Sequence, residues 1–399
     1  MLFLGRRHRS RLMGLAAALA AAAVLLPVMA AEAAISGNHA TTSKASGGSI
    51  LIGASTVLSG PNAYAGQDWL HGLELGIKKI NAGGGVLGKQ LKIVTADNAC
   101  DPATAVGATR KLINDHVSII LGSVCSGATL AAMPLVKAAH IVQLTDDSSS
   151  PQITQEAGVG GNPWEFRINL DSSMEAGALS RYVAAKVKSV YFIAENDAFG
   201  RDGVTGYEQE LTKAHISIAG SSYYTTGTGD FSPILSAVQQ KNPGGLVLIS
   251  EPKDAATLLR QLRAQGLTQP IFDGGGFLSQ EFFSALGAPN LANGITGAFF
   301  WNAAEDPALA KAYKAAYKTA PAPDSIGPYY DAFVLRDALQ LAKSTDPTAI
   351  RNALKKVNLK QAWGRIKFDA HNQAHPNVAL QTALNGQIKL LKVVPSSGE

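Results

Sequence analysis

The sequence predicts an α/β protein built as two doubly wound, parallel-sheet lobes. Three observations carry this. Short apolar strands alternate with helices of about 10–15 residues, the pattern of parallel sheets covered on both faces. The alternation runs once to residue 168 and then begins again. A chain of 399 residues is also too long for one ordinary core.

The first run opens with a strand over residues 50–57 (ILIGASTV). A helix over 67–81 follows, with Leu70, Leu73, Ile77 and Ile80 on one face. A Gly-rich turn over 81–88 leads to a strand over 91–96. The helix over 102–115 has Asp101 as N-cap and proline in its first turn. Strand 118–121, helix 127–139 and strand 141–144 complete the run. After Phe166-Arg167-Ile168 come helix 172–186, strand 190–194, helix 200–213 and strand 216–223. Helix 232–240, strand 246–250, helix 254–265 and strand 270–273 extend it. Strand 295–300, helices 307–318, 329–343 and 347–356, and a β-like tail over 364–394 close the chain.

Residues 1–33 read as a cleaved secretory signal peptide. Arg6 to Arg11 are its basic start, residues 12–26 its apolar stretch and Ala31-Glu32-Ala33 its small-residue cleavage site. The apolar run is short for a membrane span, and no cysteine follows it to carry a lipid. Residues 34–48 read as a flexible tail. The product is therefore expected to be soluble and exported. The formal charge is +5, of which Arg6, Arg7, Arg9 and Arg11 against Glu32 leave +3 in the leader. The remainder is too weakly basic to suggest a nucleic-acid partner.

Ligands in doubly wound sheets bind at the carboxyl ends of the strands, and two lobes would pool those loops in one cleft. Here the loops are 59–64, 122–127 and 145–151. Their hydroxyls and helix N-termini suit a carboxylate, although Ser126 and Ser149 could equally be helix caps. Gly83, Gly85 and Gly88 imitate nucleotide-binding glycines, but a helix precedes them and a strand follows, the reverse of what those motifs need. The eight histidines are scattered and His371 and His375 have no third ligand, so neither metal nor cofactor is expected. No nucleophile elbow or zinc-protease helix occurs, and adjacent Asp146 and Asp147 need not converge, so the chain does not read as an enzyme. Cys100 and Cys125 are the only cysteines. In an exported protein they read as a disulfide, with two buried thiols as the alternative.

Segments 58–102, 120–141 (ILGSVCSGATLAAMPLVKAAHI), 195–203 (ENDAFGRDG) and 258–267 (LLRQLRAQGL) are together similar, in order and spacing, to periplasmic solute-binding proteins of ABC transporters. The resemblance is to the branched-chain amino-acid type and covers about residues 49–395. It implies the type I periplasmic binding fold, with a ligand cleft between two lobes joined by a three-strand hinge. Lobe I would be 49–168 and 299–366, and lobe II 169–298 and 367–399, with crossings near 167–171, 297–301 and 363–368. It implies a disulfide between Cys100 and Cys125, Ser126 and Ser149 on a ligand carboxylate, and the Asp147 carbonyl on an ammonium. Phe199, Tyr64 and Tyr329 would form the pocket. The acid that pairs with the ammonium in the family falls on Gly275, and a second-lobe Tyr becomes Glu251. Asp147, Glu251 or Asp273 would then supply the charge, or the ligand has no ammonium. The resemblance also implies the periplasm as the compartment. The implied function is capture of a small carboxylate-bearing solute, a branched-chain or other apolar amino acid, by a monomer that delivers it to an ABC permease and ATPase. The alternatives are an aromatic or aliphatic acid or amide in the same role, or a sensory receptor subunit.

Overall fold

The structure, a computed structural model, describes residues 47–396. The expected signal peptide and residues 34–46 of the expected tail lie outside the described residues, whereas Gly47 and Gly48 already belong to the first strand. No helix among the described residues is long and apolar enough to cross a membrane.

The first sheet contains β1 (Gly47–Thr56), β2 (Lys89–Asp97), β3 (Ile120–Leu121), β4 (Gln143–Thr145) and β5 (Glu165–Arg167). Its order is β2-β1-β3-β4-β5 and every pairing is parallel. The chain continues through β6 (Ser189–Glu195), β7 (Ser217–Tyr224), β8 (Gly245–Ile249), β9 (Ile271–Asp273) and β10 (Thr296–Phe299). It then forms a small ribbon of β11 (Leu359–Gln361) and β12 (Gly364–Ile366), followed by β13 (Asn377–Leu384) and β14 (Gln387–Pro395). The second sheet runs β14-β13-β10-β9-β8-β6-β7. It is mixed rather than wholly parallel, because β13 lies antiparallel to both β10 and β14. The β13–β14 pairing has a local reason: the two strands are joined by Asn385-Gly386, both at positive φ, a two-residue turn that permits only an antiparallel hairpin.

The helices are α1 (Ala63–Ala82), α2 (Pro102–Asn114), α3 (Ser126–Ala139), α4 (Pro151–Glu156), α5 (Ser172–Ala184) and α6 (Ala198–Lys213). After them come α7 (Ser232–Lys241), α8 (Pro252–Ala264), α9 (Gln280–Leu286), α10 (Pro307–Tyr317), α11 (Ile326–Ala342) and α12 (Pro347–Leu354). The short α4 and α9 were not expected from apolar periodicity, which needs more than two turns to register. Both have local start signals: Ser150 and Ser279 accept the N–H groups of Gln152 and Phe282.

Both faces of the first sheet are covered, as its continuous apolar strands require. Ile50, Ile52 and Ala54 of β1 pack in one core with Trp69, Leu73 and Ile77 of α1. On the opposite face Leu51 packs with Leu112 of α2 and Val136 of α3. Although α10 to α12 follow β10 in the chain, they return to the first sheet, where α11 packs along α1. Gly72 allows this approach, since a Cβ there would stand 1.9 Å from the Ser325 carbonyl oxygen.

The chain passes between the sheets after β5, after β10 and again between β12 and β13. Arg167 is the buried strut of this junction. Its guanidinium donates to the carbonyls of Ser148 (3.1 Å) and Ser150 (2.8 Å), to Gln373 Oε1 (2.6 Å) and to Asp171 (3.2 Å). One side chain thus ties the loop after β4 to two of the three passages. A charge this deep is tolerated because every donor has an acceptor.

Candidate functional site

A cavity of about 400 Å³ opens between the carboxyl ends of the two sheets. The first sheet contributes Cys100 after β2, Cys125 after β3, and Asp147 and Ser149 after β4. Tyr64 of α1 and Asp324 before α11 complete that wall. The opposite wall holds Glu175 of α5, Phe199 of α6, Thr226 after β7, Glu251 after β8 and Gly275 after β9. Tyr64 bridges the walls, its hydroxyl donating to Glu251 Oε2 at 3.1 Å.

Five of the residues singled out from the sequence therefore meet here: Tyr64, Asp147, Ser149, Phe199 and Glu251. The cap of α4 is Ser150, whose Oγ accepts the Gln152 N–H, and this leaves Ser149 on the cavity wall. The Ser149 carbonyl in turn accepts the Ser172 N–H at 2.9 Å and so fixes the loop to α5. Cys100 and Cys125 form a disulfide with Cα atoms 5.4 Å apart.

Three expectations are corrected. Ser126 is 1% exposed and does not line the cavity. It is the first residue of α3 rather than its cap, which is Cys125, and its Oγ accepts the Ser150 N–H at 3.2 Å and pins two loops together. Asp273 also lies beneath the wall. Its carboxylate gathers the N–H groups of Gly275, Gly276, Phe277 and Leu278 at 2.7–3.1 Å, so it shapes the loop after β9. Burial pushes Asp273 up to about 6 against the lowering effect of those bonds. Tyr329 points to the α1–α11 seam, where its hydroxyl accepts from Lys79 Nζ at 3.2 Å and its ring meets Phe333.

The structure also explains the glycine at the position of the expected acid. A Cβ on Gly275 would come within 2.6 Å of Phe199 Cζ. The ring of Phe199 occupies the space that an acidic side chain at 275 would need.

Of the five acidic lining residues that the sequence did not single out, Asp68, Glu175, Asp197, Glu281 and Asp324, two bear most on its chemistry. Asp324 follows Pro323 in a loop with no strand signal before it. Glu175 had a visible signal: it sits on the buried face of α5 with Ala176, Leu179 and Val183, where a charge is out of place. It is 3% exposed, and its Oε2 has no hydrogen-bond partner among the described residues. Asp147 Oδ2 is likewise unpartnered. Burial, and then the charge of Asp146, raises Asp147 well above the usual carboxylate range. Burial, and then the charge of Asp147, does the same for Asp324. Burial with the nearby Asp324 charge lifts Glu251 to about 8. Burial is also the main cause for Glu175, with Asp273 next.

The sequence model described as periplasmic binding protein matches residues 49–387. The chain belongs to the periplasmic binding protein family. This is a solute-binding family rather than an enzyme family, and its two-sheet architecture is the one described above. Among curated members, an amino acid binding protein of Pseudomonas aeruginosa is 26% identical over 80% of this chain and 86% of its own length. A leucine-, isoleucine-, valine-, threonine- and alanine-binding protein of the same organism is 27% identical over 80% of this chain and 86% of its own. Among solved periplasmic binding proteins, the branched-chain amino acid transporter substrate-binding protein LivJ of Streptococcus pneumoniae, in complex with isoleucine, superposes with a TM-score of 0.78 at 23% identity. That match covers 87% of this chain and 99% of the other. A solute-binding protein of an ABC transporter from R. palustris, in complex with benzoate, gives 0.78 at 20% identity, covering 87% and 97%.

Proposed function

We propose that this protein is the solute-capturing component of an ABC importer, acting in the periplasm and delivering an amino-bearing solute, an amino acid, to a membrane permease with its ATPase. The observation that carries the reading is the cavity between the sheet ends, with polar groups on both walls and the Tyr64–Glu251 bond across it. A ligand touching both walls favours closure of the two lobes, because contacts made only in the closed form shift the equilibrium towards it. The lobes are residues 49–168 with 299–366, and 169–298 with 367–399. In this reading Ser149 holds the carboxylate and Phe199 and Tyr64 cover the body of the solute. The ammonium goes to Asp147 and Glu251, which stand in for the acid that Gly275 lacks. The export leader at 1–33 and a monomeric state belong to the same proposal.

An ammonium is favoured over a bare acid because carboxylates line both walls, and a lone organic anion placed among them would be repelled. The test is thermal unfolding of protein refolded from denaturant, with leucine set against 4-methylpentanoate and phenylalanine against 3-phenylpropanoate. A ligand at about 1,000 times its Kd adds roughly 4 kcal/mol, so a true ligand is visible. Stabilisation by amino acids alone is expected. Stabilisation by the deaminated acids alone would move the protein to the aromatic or aliphatic acid class.

A further inference from the structure

The charge of the cavity narrows the solute further; the argument rests on the capture reading above. Among the described residues, the cavity lining contains no lysine, arginine or histidine. Two of its seven acids have basic side chains beside them: Glu281 lies 3.4 Å from Lys253, and Asp68 lies 3.8 Å from His71. The other five acids of the lining, Asp147, Glu175, Asp197, Glu251 and Asp324, have no salt bridge among the described residues, and of these Asp197 is taken up in capping α6. Asp147 and Asp324 line the same wall, and the Asp147 charge adds to burial in raising Asp324. Glu175 also lines the cavity, and its buried Oε2 has no hydrogen-bond partner among the described residues. A buried carboxylate oxygen without a donor is costly, so the site is built for donors that the protein does not supply.

A zwitterion such as leucine brings one positive and one negative charge and leaves this imbalance unchanged. No three His, Cys, Asp or Glu side chains among the described residues converge to hold a metal ion. The geometry points to a solute with net positive charge, carrying at least two ammonium or guanidinium nitrogens that face the acids of this cavity. Basic amino acids and short di- or polyamines share this chemistry.

The test is titration calorimetry of the refolded protein with L-lysine, L-arginine, putrescine, spermidine and L-leucine. At least one cation should bind ten times more tightly than leucine or better. A preference for lysine or arginine over putrescine would assign a basic amino acid, and the reverse an amine without a carboxylate. Glu175→Gln and Asp324→Asn should each weaken the preferred cation by about tenfold or more, the usual weight of a charged hydrogen bond. They should also raise the melting temperature of the empty protein, and the second variant guards against failure of the first to fold. Tighter binding of leucine than of every cation would overturn the inference and leave the capture reading intact. The absence of binding by every cation would overturn the inference. If, in addition, no amino acid or deaminated acid caused compaction in solution scattering, the capture reading would fail separately.

Discussion

Gly275 shows how one residue sets the shape of the cavity wall. Its missing side chain leaves room for the Phe199 ring, whose Cζ would lie 2.6 Å from a Cβ at 275. The conflict in a Gly275→Ala variant falls on the far end of a side chain that faces the cavity, so the ring can yield by swinging into the ligand space. The expected outcome is a modest loss of stability, about 1 kcal/mol, at the low end for overpacking. Ligand affinity should fall by far more, at least about tenfold, because the ring then competes with the solute. Calorimetry and thermal unfolding of the same variant would separate the two effects. Full affinity with lowered stability would mean that Phe199 is not part of the ligand wall. At this scale the sequence was only partly legible. The helix start at Ser126 could be read, but not the direction of its hydroxyl, which the Ser150 N–H captures. Asp273 could be seen as an acid near the site, but not as the acceptor of four backbone N–H groups, since that depends on the loop folding back over it.

At the scale of elements, alternating apolar runs and capped helices were enough to order the first sheet and its helices. What escaped was set by turns and by tertiary return. The antiparallel hairpin of β13 and β14 hangs on Asn385-Gly386 alone, and α11 finds α1 across more than two hundred residues. Asp324 was invisible for the same reason, because it reaches the cavity only through the close approach that Gly72 allows. The Cys100–Cys125 disulfide, by contrast, joins two loops whose positions at the ends of β2 and β3 were already readable. It closes a loop with a sequence separation of 25, and both cysteines line the cavity. The chain-entropy relation gives about 3–4 kcal/mol for such a loop. Replacing both cysteines with alanine should lower the unfolding free energy by about that amount, measured by urea denaturation. Affinity should also fall, because two strand-end loops lose their common tether. An unchanged denaturation midpoint would show that the loops are held by packing alone.

For the whole molecule, the empty cleft and the carboxylates beneath it make stability depend on pH in an unusual direction. Glu251, Glu195 and Asp146 are each raised to about 8, in every case chiefly by burial. A carboxyl whose folded pKa lies above its unfolded value binds its proton more tightly in the native state. The stability it contributes is therefore complete below the ordinary carboxylate range and is lost as the pH rises through the folded value. Asp97 and Asp369 act oppositely. Despite some burial, hydrogen bonds hold both below the usual range, so their contribution disappears only in acid. The two sets place the most stable condition of the empty protein on the mildly acidic side. Its melting temperature should fall between about pH 6 and pH 9, across the titration of the raised group. A bound cation should flatten that decline, since a positive charge in the cleft offsets the cost of ionising Glu251 and its neighbours. Thermal unfolding across this range, with and without the preferred solute, reads both effects. A melting temperature that rises with pH in the empty protein would mean that the cleft carboxylates are already ionised and compensated, and the argument for a cationic solute would lose its support.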